Sequence, residues 1–148
     1  MDQKFYRSWF EGFACGLDQL DADNRTRLLR KCAQNCADSG VLKAYQAHWQ
    51  KVNGDRDAFY QRISELGGVE GAVIIPGKKY AVIYPECLCD LHTSGGVNTC
   101  NLCECSRQSL IYVTAKTWGT ENIEVRCLGT ILGGQDKCSF EISFCDPA

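Results

Sequence analysis

Apolar positions in the first 68 residues recur with the 3.6-residue period of amphipathic helices, and from Val73 onward they change to strand-like runs and alternation. Tyr6, Phe10, Phe13, Leu17 and Leu20, behind Asp2 as a cap, predict a first helix with its aromatic side laid on a core. Asp21 or Asp23 can cap a second helix through Leu28, Leu29, Cys32, Ala33 and Cys36, with Gly40 to end it. Val41, Tyr45, Trp49 and Val52 make a third periodic set before Asn53-Gly54. Phe59, Ile63 and Leu66 make a fourth before Gly67-Gly68.

Val73-Ile74-Ile75 and Tyr80-Ala81-Val82-Ile83-Tyr84 read as two short strands about a Pro76-Gly77 turn, closed by Pro85. Residues 85–105 follow as a connection rich in small and polar residues, long enough to require something to hold it. In residues 105–118, Ile111, Ala115 and Trp118 fit a helical stripe, against the strand preference of Val113, Thr114 and Thr117; the helix fits better. Ile123, Val125 and Cys127, and then Cys138, Phe140, Ile142 and Phe144, alternate with polar residues on either side of Gly133-Gly134, as half-buried strands do. The expected architecture is α+β. A helical N-terminal half (1–68) packs on an antiparallel sheet half (69–148) made of a hairpin, a cysteine-rich loop (85–105), a helix and two C-terminal strands. No repeat, linker or low-complexity tract divides the chain, so one domain spanning 1–148 is expected.

Charge removes some partners. A net charge of −2, with Lys and Arg scattered along the chain, offers no footprint for a nucleic-acid backbone or an anionic membrane. No stretch approaches the ~20 apolar residues of a membrane span, and Met1 to Glu11 lacks the apolar core of a signal peptide, so a cytoplasmic location is expected.

The cysteines change the picture most. The chain has eleven, and three tight groups stand out: Cys32-x3-Cys36, Cys87-x-Cys89 and Cys100-x2-Cys103-x-Cys105. In a reducing compartment such density reads as metal binding, redox chemistry or burial before it reads as disulfides. Four thiolates suit a tetrahedral zinc ion, and short spacings let one loop supply two ligands. Cys87, Cys89, Cys103 and Cys105 are therefore the leading set, with Cys100 able to replace one of them. Cys105 falls at the start of the expected helix, where free backbone N–H groups favour the thiolate. Cys32 and Cys36, one turn apart, form a two-ligand clip or are core residues. An iron–sulfur cluster is the alternative cofactor. Cys15, Cys127 and Cys138 are in phase with apolar faces and read as core, His48 reads as structural, and His92 as a solvated loop residue.

The run Cys103-Glu104-Cys105-Ser106 entering a helix that ends Trp118-Gly119, then Ile123-Glu124-Val125, Gly133-Gly134 and Cys138-Ser139-Phe140-Glu141-Ile142, resembles the 4-vinyl reductase domain. The whole chain resembles a family of cysteine-rich bacterial proteins common in anaerobes, whose helical Cys-x3-Cys and two Cys-x-Cys pairs match those here. The resemblance implies an α+β ligand-binding domain with a small-molecule pocket. Related sensor domains bind zinc through cysteines and a glutamate, and their Glu-x2-Cys element has a counterpart in Glu124-x2-Cys127, although the next cysteine, Cys138, lies further on. The Gly134-x3-Cys138-x-Phe140 ending is similar to that of proteins resembling L-2-amino-thiazoline-4-carboxylate hydrolase, which implies attack on a C–N bond by a thiolate or metal-bound water.

The leading expectation is a metal-binding module that takes a small-molecule ligand or acts as a sensor. Trp9, Phe13, Tyr45, Trp49, Tyr84, Tyr112 and Trp118 are candidate pocket aromatics. A hydrolase that depends on metal or cysteine, and a thiol redox or iron–sulfur sensor, are the alternatives. A homodimer stays open.

Overall fold

In a computed structural model that describes residues 2–146, helices α1 (Gln3–Gln19), α2 (Ala22–Asp38), α3 (Val41–Lys51) and α4 (Arg56–Gln61) lead into the hairpin of β1 (Glu70–Ile75) and β2 (Lys79–Tyr84). A short helix α5 (Asp90–Thr93), a long helix α6 (Glu104–Trp118) and strands β3 (Ile123–Gly129) and β4 (Cys138–Phe144) follow. The α+β order is the expected one, with helices N-terminal and the sheet C-terminal.

Local chemistry sets the boundaries. Asp2, Asp21 and Asp55 accept from the backbone N–H groups of Lys4, Asn24 and Ala58 at 3.1, 2.8 and 3.0 Å. Each satisfies a donor that the first turn of its helix leaves without a partner. The Lys78 N–H donates to the Ile75 carbonyl at 3.0 Å across the Pro76-Gly77 turn. Gly77 supplies the positive φ (76°) that a type II turn needs at its second central residue. The fourth apolar set does not form one helix. Helix α4 ends at Gln61, and Ile63–Leu66 tighten into a 3-10 turn that keeps Ile63 fully buried.

The sheet is antiparallel throughout, in the order β1-β2-β4-β3. Tyr80, Val82, Val125, Phe140, Ile142 and Phe144 are buried beneath the helices. The opposite face carries Glu141 paired with Lys79 and Arg126, the one-sided pattern of a two-layer fold. Where α4 crosses β1 the chain has Gly71; a Cβ there would lie 2.5 Å from the Tyr60 carbonyl oxygen. Tyr60 stacks on Tyr80 with ring centroids 4.3 Å apart, and Phe59 meets Trp118 edge-on at 4.7 Å.

A second, smaller core of Leu17, Leu29, Val97 and Leu102 joins α1, α2 and the cysteine-rich segment. That segment therefore has an apolar anchor of its own. It contains α5 and a 3-10 turn, Cys100–Cys103, that runs directly into α6. His92 is not merely solvated, because its Nδ1 is hydrogen-bonded with the Val97 carbonyl at 2.9 Å. His48 is structural, as expected: it is buried, with Nε2 2.9 Å from the Phe59 carbonyl oxygen.

Helix α1 departs from expectation. Only Leu17 is fully buried, while Phe5, Tyr6 and Trp9 stand exposed. The reason is that α2, α3, α4 and α6 occupy the covered side of the main core, leaving only the C-terminal half of α1 to reach the small core. Cys15 is exposed for the same reason. The candidate pocket aromatics do not gather. Trp9 and Phe13 stack on each other along α1, Tyr45, Trp49, Tyr84 and Trp118 belong to the main core, and the Tyr112 hydroxyl donates to Asp38 at 2.7 Å.

The main core holds polar atoms without partners. The hydroxyls of Tyr45, Tyr60, Thr114 and Thr117 and the indole N–H groups of Trp49 and Trp118 make no hydrogen bond. Tyr60 and Thr114 face each other without closing one. Removing a buried hydroxyl that has no partner relieves a desolvation cost. Tyr45→Phe and Tyr60→Phe are thus expected to leave stability within about 1 kcal/mol of wild type or to raise it, whereas Phe59→Ala should cost about 3–5 kcal/mol. Urea unfolding followed by circular dichroism measures both, and a large loss in either Tyr→Phe variant would contradict the unpaired state of these hydroxyls.

Candidate thiol centre

The geometry of the cysteines follows from where α6 begins. Cys103 is its N-cap, Glu104 opens the helix and Cys105 lies in its first turn. Two residues along a helix turn through roughly 200°, so neighbours at this spacing do not share a face. The Cys103-x-Cys105 pair, expected to act as one clip, is instead divided between two directions.

Cys105 turns toward α2 and packs with Cys89 against the small core. Burial pushes its thiol up to about 12, reinforced by the charges of Cys89, Cys36, Cys32 and Cys103. Burial also raises Cys89, against the lowering effect of the Leu91 and His92 backbone N–H groups, with Cys87 and Cys36 adding to the rise. Cys32 and Cys36 flank the buried stripe of α2, Leu29, Ala33 and Ala37. Both are exposed, and both add to the rise of the Cys105 thiol. Cys105 thus feels thiols from two other segments, Cys32 and Cys36 on α2 and Cys89 after β2.

Cys103 turns the other way, toward the end of the sheet. Burial pushes it up to about 11, opposed by the Thr130 hydroxyl that faces it and assisted by Cys138, Cys127 and Cys87. A thiol so shifted is almost wholly protonated at neutral pH and is a poor nucleophile there. Cys103 and Cys127 line a cleft of about 400 Å³, with Cys100, Glu104 and Thr130 also in its wall. Cys127 is exposed rather than core, because β3 emerges from beneath α6 at this end; Cys138 is half-buried and its sulfur accepts from the Ile131 N–H at 3.3 Å. Glu124 does not join Cys127, since residues three apart on a strand point to opposite faces.

All eleven cysteines are free thiols. Among the described residues, no group of three or more His, Cys, Asp or Glu side chains is placed to hold a metal ion.

Glu104 is the polar hub of the junction. It accepts from Arg107 at 2.7 Å, from Gln108 at 2.9 Å and from Thr26 at 3.3 Å, while Arg30 donates to Gln108. Burial raises the Glu104 pKa, but these hydrogen bonds outweigh it and hold the carboxyl below its usual range. Arg107 also donates to the Val125 carbonyl, linking α6 to β3. Glu104 was available to sequence reasoning as the acidic residue in the first turn of a helix. Cys127 was harder to see, because its strand phase marks the covered face without showing where the cover ends, whereas Cys138 packs against the main core as its phase predicts.

No known protein family and no curated protein matches this chain. Among the described residues, no helix is long and apolar enough to cross a membrane.

Alkylation kinetics should separate the thiols. In metal-free protein at pH 7.5, exposed Cys15, Cys100 and Cys145 are expected to react first, and Cys103 and Cys105 last. Raising the pH should accelerate Cys103 before Cys105, since a thiolate forms only as pH approaches its pKa. Peptide mass spectrometry reads the order, and early labelling of Cys105 at pH 7.5 would refute it.

Proposed function

We propose that this protein is a metal-binding module with thiolate ligands, zinc being the ion, and that the bound metal fixes the cysteine-rich segment beside a small-molecule cleft, so that the module binds or senses a ligand. The observation that carries this reading is the position of Cys105. Its side chain packs with Cys89 against the small core at the first turn of α6, and Cys32 and Cys36 of α2 act on its thiol electrostatically. The proposed primary centre is therefore Cys32, Cys36, Cys89 and Cys105. It takes Cys89 and Cys105 from the set expected from spacing and adds the helical pair.

The chemistry favours a cation. Ionising several thiols puts like charges side by side, and Cys89, Cys36 and Cys32 each add to the rise at Cys105. A divalent ion reverses that balance and deprotonates the thiols it binds. Two ligands one turn apart on α2 and two from separate segments suit a closed four-sulfur shell of the structural type. The cleft beside Cys103 is of a size that fits a small organic molecule. Free thiols in this number suit the reducing cytoplasm.

Protein purified without oxygen is expected to contain zinc, and Cys105→Ser to lose the ion of this centre while Cys145→Ser retains the wild-type content. Metal analysis with a thiol count before and after chelation checks this. Iron with inorganic sulfide would replace zinc by an iron–sulfur cluster in the same shell, and wild-type protein without metal and with every thiol reactive would refute the proposal.

A further inference from the structure

Two strands form the edges of the sheet, and one of them carries the chemistry to pair with itself. β3 stands last in the order β1-β2-β4-β3, with β4 on one side only. The Cys145 N–H donates to the Asn122 carbonyl at 2.8 Å, one step beyond the pairing of Ile123 with Phe144. Bonded and non-bonded pairs alternate along an antiparallel ladder. Glu124 and Arg126 therefore bond to Ser143 and Glu141 of β4, while Ile123 and Val125 turn their N–H and C=O groups to the open side. The Val125 carbonyl accepts from Arg107 there at 3.1 Å, and a carbonyl oxygen has a second lone pair for another donor. A groove of about 520 Å³ runs along this edge, lined by residues 123–127 of β3 with Arg107 and Ile111 of α6. The edge is thus reached from outside. β3 carries no proline or lysine, and its register slips only after Cys127, so the usual guards of a free edge are missing.

We infer that two copies of this chain associate through β3, antiparallel and centred on Val125, and so join their two four-stranded sheets into one. The side chains of the solvent face fit that register. Glu124 and Arg126 flank Val125, so Glu124 of each copy lies opposite Arg126 of the other, and the two-fold axis makes this ion pair twice. Val125 meets Val125 in a bonded pair, which puts Glu124 and Arg126 in the non-bonded, closer type of pair, where side chains interact best. Among the described residues, Glu124 makes no ion pair of its own. The Arg126 side chain is 71% exposed and lies 3.5 Å from Glu141, which leaves its guanidinium able to take a second carboxylate. Neighbouring registers are disfavoured. Centring the pair on residue 124 or 126 brings Glu124 against Glu124 or Arg126 against Arg126, and like charges directly opposite are destabilising.

The other edge offers no such match. β1 carries Glu70 as its one charged residue, its register slips between Val73 and Ile75, and α4 crosses it at Gly71. Residues 123–127 make a small interface, so the dimer of β3 is a weak one that dissociates on dilution. The inference is independent of the thiolate reading above, because it rests on backbone groups and one repeated pair of charges.

The test combines sedimentation velocity with amide hydrogen exchange on the full chain, in chelator and reductant so that neither metal nor disulfides link the copies. Wild-type protein is expected to pass from monomer to dimer as its concentration rises from micromolar towards millimolar. Over the same range the Ile123 and Val125 amides should slow their exchange, while those of Glu124 and Arg126, already bonded to β4, stay slow throughout. Glu124→Arg meets Arg126 with a like charge and should raise the dimer dissociation constant by about tenfold or more. Glu124→Arg/Arg126→Glu exchanges the two charges and should bring the constant back towards the wild-type value. A wild type that stays monomeric at every concentration overturns the inference. So does a dimer in which Ile123 and Val125 exchange as fast as in the monomer, because the copies then meet at another surface. An unchanged dissociation constant in Glu124→Arg overturns the register centred on Val125.

Discussion

The helical phase at the start of α6 is the constraint on which the arrangement of thiols depends. Once Glu104 is the first residue of the helix, Cys103 and Cys105 are committed to opposite sides of it. Glu104 also fixes the rotation of that helix. Its carboxylate is bound by Arg107 and Gln108 of α6 itself and by Thr26 of α2, while Arg107 reaches the carbonyl of Val125 on β3. Only unwinding the first turn of α6 could bring both sulfurs to one side, and that would break the contacts that Glu104 makes. The division of thiols is thus set by the same packing that joins the helical layer to the sheet.

The two cores give this junction its degree of independence. The aromatic cluster around Phe59, Tyr60, Tyr80 and Trp118 holds α3, α4 and the sheet without drawing on the cysteine-rich segment. That segment rests on Leu17, Leu29, Val97 and Leu102 together with α1 and α2. A change at the thiol junction can therefore loosen or tighten α1 and residues 85–105 while the sheet keeps its packing. Regions with few buried apolar contacts are those that open locally at low cost. In the proposed function, metal occupancy is read out there.

Much of this architecture was legible in the sequence, for identifiable reasons. Capping aspartates, Pro76-Gly77, Asn53-Gly54 and the alternation in β4 are short-range signals, and each is found where it was expected, while the alternation in β3 holds only as far as Val125. Helix α6 was legible despite Val113, Thr114 and Thr117, because burial of one face outweighs the modest cost of β-branching. Helix α1 was legible only in part, because periodicity reveals an apolar face and says nothing about how much of it finds a partner. Cysteine spacing was less informative still. A Cys-x-Cys pair serves as a clip only if its backbone is extended or looped, and the three residues at Cys103 begin a helix. The spacing also could not show which sulfurs act on one another: Cys105 feels Cys89, Cys36 and Cys32, whereas Cys103 feels Cys138, Cys127 and Cys87.

The electrostatics of the junction explain why so many sulfurs are tolerated so close together. A neutral thiol is a small apolar group, and Cys89 and Cys105 fill space in the small core as such. Burial keeps them protonated at neutral pH, so no like charges are forced together. In the proposed function the same groups would become ligands once a cation offsets the cost of ionisation. Replacing them with Val or Ala would preserve the packing and abolish that second role. Under the proposed function the junction is stable in its neutral form, and the arrival of a cation is what would turn its thiols into ligands.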